Sequence, residues 1–143
     1  MIIKSGGSGF FYTPFTLCQS LGEYMPVSGG INAYGAWNHA PLGSAGPTIY
    51  GRWIVLRLLS LAGNVFSNGF QIGIGPVGME SILYPSSGGS HQDFKCDALP
   101  AEAFKVEQIY SFPCFIQAGS TLSVRAKSGV AGSQFRANIE LYG

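Results

Sequence analysis

The chain has 143 residues, a formal net charge of +1 and only 10% charged residues, where an average soluble domain has about 25%. Its Lys and Arg residues are scattered singly, which argues against a basic stripe for nucleic acid, and no apolar run reaches the roughly 18 residues needed to cross a bilayer as a helix. The length suits one domain with a core of its own, needing neither metal nor disulfide, while the shortage of charge predicts a surface partly covered by other subunits.

Residues 1–9 read as a glycine-rich N-terminal arm. They lack the basic-then-apolar order of a signal peptide, so a complete cytosolic product is expected, with residues 10–143 forming a single domain. Phe10, Phe11 and Tyr12, then Thr16, Leu17 and Cys18, suit strand pieces separated by Pro14. Tyr24 to Gly51 contains no Asp, Glu, Lys or Arg. That stretch, carrying Tyr24, Tyr34, Trp37 and Tyr50, reads as long loops or irregular strands.

Residues 50–61 are apolar at both parities, with Trp53, Val55, Leu59 and Leu61 on one side and Ile54, Leu56 and Leu58 on the other. A strand of this kind is covered on both faces, and a second subunit is the natural second cover. A buried helix is the rival reading, disfavoured by the Gly-Pro before the run and Gly63-Asn64 after it. Arg57, set among these side chains, would need a partner if buried.

Phe70, Ile72 and Ile74 alternate with Gln71, Gly73 and Gly75, predicting a strand, with residues 79–84 its continuation or partner. Residues 85–90 suit a flexible loop, and residues 97–103 a short helical turn. Residues 106–112 predict a strand ended by Pro113. Leu122, Val124 and Ala126 alternate with Ser123, Arg125 and Lys127. Phe135, Ala137, Ile139 and Leu141 alternate with polar neighbours to the C-terminus. Residues 128–133 are glycine-rich enough for a hairpin loop joining the last two runs, in which Arg125 or Lys127 could pair with Glu140. Short strands punctuated by 21 glycines and 8 prolines, with no helical period, predict an all-β, antiparallel β-sandwich.

Candidate chemistry is sparse. Residues 73–78 match G-x-G-x-x-G, with Asp93 downstream, but residues 79–84 are too short for the helix that a dinucleotide site requires. His39 and His91 lack metal-ligand spacing, apart from the weak pairing of His91 with Asp93. The seven carboxylates show no spacing that favours paired acid–base catalysis, and no G-x-S-x-G elbow is present. Cys18, Cys96 and Cys114 fit buried or half-buried free thiols rather than a disulfide framework. No catalytic, metal-binding or cofactor-binding residue is assigned, and no enzyme activity is expected. The aromatics suit the core between two sheets, a subunit contact or a sugar-binding surface. Ile2, Ile3, Phe10, Phe11, Tyr12, Trp37 and Trp53 are the candidate partner contacts.

Two segments carry a resemblance. One is residues 70–85, F-Q-I-G-I-G-P-V-G-M-E-S-I-L-Y-P. The other is residues 112–128, F-P-C-F-I-Q-A-G-S-T-L-S-V-R-A-K-S. Together they resemble small jelly-roll-like virion domains of tailed bacteriophages, in which an "IGIGxxGxE" strand is followed later by "FP-x-x-I-x-AG" before the last strand. Gln117 stands where that pattern often has Pro. The resemblance implies a jelly-roll-like sandwich in a virion assembled in the bacterial cytoplasm, often as a homotrimer. The expected role is a capsid decoration or cement protein contacting the major capsid protein. The alternative is a tail-associated part, including a receptor- or carbohydrate-binding module at the tail tip. The two glycine turns set strand geometry in this pattern.

Overall fold

In the computed structural model, residues 15–39, 46–60, 68–84, 94–95 and 108–143 are described. Over these residues the fold is all-β, and no helix is long and apolar enough to cross a membrane. The strands in chain order are β1 (Cys18–Tyr24), β2 (Asn38–His39), β3 (Gly51–Ser60), β4 (Gly69–Ile74), β5 (Ser81–Tyr84), β6 (Phe94–Lys95), β7 (Gln108–Ile116), β8 (Leu122–Lys127) and β9 (Phe135–Tyr142). They form a four-stranded sheet ordered β1-β9-β3-β7 and a five-stranded sheet ordered β2-β8-β4-β5, with β6 also on β4. Every pairing is antiparallel.

The period-two patterns decide which side chains meet. Ile54, Leu56 and Leu58 from β3 and Phe135, Ala137, Ile139 and Leu141 from β9 are fully buried. Phe70 and Ile72 of β4, with Leu122, Val124 and Ala126 of β8, close the core from the other sheet. Phe70 meets Phe135 edge to face across the two sheets, with centroids 5.0 Å apart, the geometry that aromatic quadrupoles favour. The two sheets therefore pack as a β-sandwich.

Three sequence expectations change. The segment between β8 and β9 is a crossing between sheets, because β8 lies in the five-stranded sheet and β9 in the four-stranded one. It is pinned to residues 26–33 by buried serines. Ser133 N donates to Ser28 Oγ at 2.9 Å, Ser133 Oγ donates to the Val130 carbonyl at 2.8 Å, and Gly132 takes a φ of 70°. Glu140 consequently meets Arg57 of β3, and Arg125 meets Gln71 of β4.

Next, β7 runs through Pro113 to Ile116. It is an edge strand, where a missing N–H costs no ladder bond if it faces outward. Finally, Cys18 is exposed, against the expectation of a buried or half-buried thiol, whereas Cys114 is half-buried as expected, burial pushing its thiol pKa up. The arm at residues 1–9, the strand piece at 10–12, the loop at 85–90, the helical turn at 97–103 and Cys96 lie outside the described residues.

Candidate interaction surfaces

The outer face of the four-stranded sheet is built from the outward parity of β3. Trp53, Val55 and Arg57 project there and are half-buried, while Leu59 is buried. The register sets Trp53 beside Tyr142 and Pro113, Val55 beside Glu140 and Ser111, and Arg57 beside Asn138 and Ile109. Two sets of polar contacts lie on this face. Trp53 Nε1 donates to Ser111 Oγ, Arg57 Nε donates to Glu140 Oε1 at 2.9 Å, and Tyr142 Oη donates to Glu140 Oε2 at 3.2 Å. Hydrogen bonding to Cys18, then to Glu140, pushes the Tyr142 phenol up to about 12.

Apolar surface frames these contacts. Phe15 lies 6.0 Å from both Trp53 and Tyr142, ring centre to ring centre, with the Arg52 guanidinium 5.0 Å over its own ring. Tyr50 and Phe115 pair at 6.3 Å, and Phe115 is 70% exposed. Trp53, a predicted contact residue, is therefore on an outward face among other aromatics. Arg57 has the partner its burial required.

Trp37 does not fill the core between the sheets but lies half-buried on the outer face of the five-stranded sheet. Asn38 pairs with Val124, and Gly35 N donates to the Ala126 carbonyl at 2.9 Å, which carries residues 34–37 along β8. The Trp37 ring presses on Gly73, where a Cβ would come within 2.7 Å of it. The Arg125 guanidinium stacks 4.3 Å from the Trp37 ring centre and 4.5 Å from that of Tyr34. Its Nε and Nη2 donate to Gln71 Oε1 at 2.8 and 2.6 Å. Gln71, expected on the solvent side of β4, is 2% exposed. Thus β4 is the strand most completely covered on both faces, and its second cover is a strap from its own chain.

The G-x-G-x-x-G segment is the turn between β4 and β5, with Gly75 at φ 125° and Gly78 at φ 85°. Gly78 N donates to Glu80 Oε1 at 2.9 Å. The backbone N–H of Gly78, then that of Glu80 itself, holds this carboxyl below its ordinary 4.5, and the neighbouring His39 acts in the same direction. His39 Nε2 lies 2.9 Å from Glu80 Oε1, close as an ion pair but not aligned as a hydrogen bond. Sequence spacing could not find this pair, because 41 positions separate residues 39 and 80.

His39 also borders a cavity of about 400 Å³, lined with Leu21, Tyr24, Thr48, Ser120 and Thr121 among others. Burial pushes the Tyr24 phenol up to about 12. Among the described residues no three His, Cys, Asp or Glu side chains gather into a metal-binding group.

Of the predicted contact residues, Trp37 and Trp53 are on opposite outer faces of the sandwich. Ile2, Ile3, Phe10, Phe11 and Tyr12 lie outside the described residues, as do His91 and Asp93. Phe15, Ile109 and Phe115 were missed as candidates. The only available signal was their outward parity or their place before β1, and neither marks a large apolar residue as exposed. No family model matches the chain, and the searches of curated proteins and of solved structures likewise return no match.

Proposed function

We propose that this is a non-enzymatic structural protein that works by association, burying the outer face of its four-stranded sheet against other copies or a larger assembly. The observation that carries this reading is the apolar surface on and around that face. Phe15 is 45% exposed, Ile109 49% and Phe115 70%, beside Trp53 and Pro113. Burying such surface stabilises a contact by about 25 cal/mol per Å² before association costs. Aromatic anchors beside paired charges are the usual make-up of an interface centre.

The setting we propose, a tailed-phage virion with capsid decoration as the role, rests on the resemblance of residues 70–85 and 112–128. Cosedimentation of the purified full chain with particles of its own virus tests it. The chain should pellet with particles, and Phe115→Lys should weaken pelleting. A chain that stays in the supernatant at every concentration contradicts the reading.

A second reading, ligand or carbohydrate recognition at a tail tip, is favoured by the cavity beside His39, with hydroxyl-bearing Thr48, Ser120 and Thr121 above apolar Leu21. Trp37 does not support it, since Arg125 already occupies a face of its ring. A panel of monosaccharides followed by NMR tests it: shifts confined to residues around the cavity support it, and no shifts contradict it.

A further inference from the structure

We propose that the free edge of β7 is where a second copy of this chain adds, its own β7 running antiparallel about a two-fold axis so that the four-stranded sheet continues through both copies. This rests on the self-association part of the reading above and adds the strand edge that borders that outer face as a contact between copies.

The backbone argument starts at Pro113. Opposed residues in an antiparallel ladder alternate between pairs that exchange both hydrogen bonds and pairs that exchange none. Pro113 is opposite Trp53 and has no N–H, so that pair is of the second kind. Two and four residues back along the same register, Ser111–Val55 and Ile109–Arg57 are of the second kind too. The N–H and C=O groups of Ile109 and Ser111, and the C=O of Pro113, therefore point away from β3. Among the described residues no strand pairs with that edge, and no turn or loop bond uses those groups.

Soluble proteins guard a long edge strand with charges, bulges or a cover. The nine residues of β7, Q-I-Y-S-F-P-C-F-I, contain no charge. Ile109 and Phe115 stand out from it 49% and 70% exposed. The missing charge also selects the occupant. A two-fold antiparallel pairing sets the strand against its own reversed sequence, so charges of one sign along it would oppose each other, and β7 carries none. With the axis at Ser111, the two Ser111 residues exchange both backbone bonds. Each Ile109 N–H then meets the C=O of the other copy's Pro113, and Ile109 packs beside that proline. The missing Pro113 N–H costs this register only one bond in each direction. The result is a dimer, which differs from the threefold arrangement that the phage resemblance implies.

Hydrogen exchange of the full chain at rising concentration, read together with mass by light scattering, tests the proposal. A dimer mass should appear together with concentration-dependent protection of the Ile109 and Ser111 amides. Ile109→Pro removes an outward N–H without touching the β3 ladder, and should weaken the dimer by about tenfold or more. Phe115→Lys, which alters no backbone group, should weaken it as well and carries the test if the proline variant does not fold. A dimer that survives both variants unchanged, or a trimer, overturns edge pairing while leaving self-association standing. A monomer at every concentration overturns edge pairing too, and cosedimentation with particles then decides separately whether the chain still works by association.

Discussion

Gly73 and Arg125 illustrate how a single position takes its meaning from residues far away in the chain. In sequence, Gly73 is a small outward residue in a strand and Arg125 a surface cation opposite a possible glutamate. In the structure Gly73 is the seat of the Trp37 ring, and Arg125 is clamped between Trp37, Tyr34 and Gln71. Gly73→Ala should therefore destabilise the fold by about 1–3 kcal/mol through overpacking, read as a shift in the chemical-denaturation midpoint. Tryptophan emission should shift with it as the Trp37 ring is displaced. Trp37 itself was legible as a residue with a role. The role was not, because its neighbours are 36 and 88 positions away in the sequence.

Glu80 gives a pH prediction at the same scale. Its carboxyl is held below 4.5 by backbone donors of the turn, Gly78 first. A carboxyl whose folded pKa is lowered stabilises the fold above its unfolded pKa, and that contribution disappears as pH falls through the lowered value. Acidification below 4.5 should therefore loosen the Gly78 amide, measured by hydrogen exchange, and Glu80→Gln should remove this pH dependence.

At the scale of elements, alternation identified strands well and their partners poorly. The patterns of β4, β8 and β9 were readable because one buried face imposes a period of two, and β3 was readable as a run apolar at both parities. The sheet to which each strand belongs was not, since a strand buries the same face from either side of a sandwich. That is why residues 128–133 read as a hairpin and instead cross between the sheets. The crossing is fixed by Ser28, Ser128 and Ser133, three buried hydroxyls whose partners include the Val130 carbonyl and one another. Ser28 Oγ also accepts from the buried Ser133 N–H. Ser28→Ala, which removes that acceptor and a donor to the Val130 carbonyl, should cost about 1–3 kcal/mol, read from a urea melt. Glu140→Gln on the half-exposed Arg57 pair should cost less than about 1 kcal/mol. β7 shows the same limit: Pro113 read as an end, because the tolerance of a strand for proline depends on being an edge, and edge position is a property of the sheet.

For the whole molecule, the scarcity of charge and the apolar outer parity of residues 50–61 pointed toward association before any fold was known. The fold gives that expectation an address. One outer face is closed internally by the strap over β4, and the other retains Trp53, Phe15, Pro113 and Ile109 around a paired Arg57 and Glu140. The candidate surface was thus legible at Trp53, where a run apolar at both parities was visible. It was illegible at Phe15 and Phe115, whose exposure depends on where the sheet ends. The most direct measurement is the solution mass of the full chain by light scattering across a wide concentration range. The account predicts a mass rising to a multiple of the 15.1 kDa chain, and falling back toward one chain when Phe115→Lys is introduced. A mass that remains at one chain at every concentration would contradict self-association.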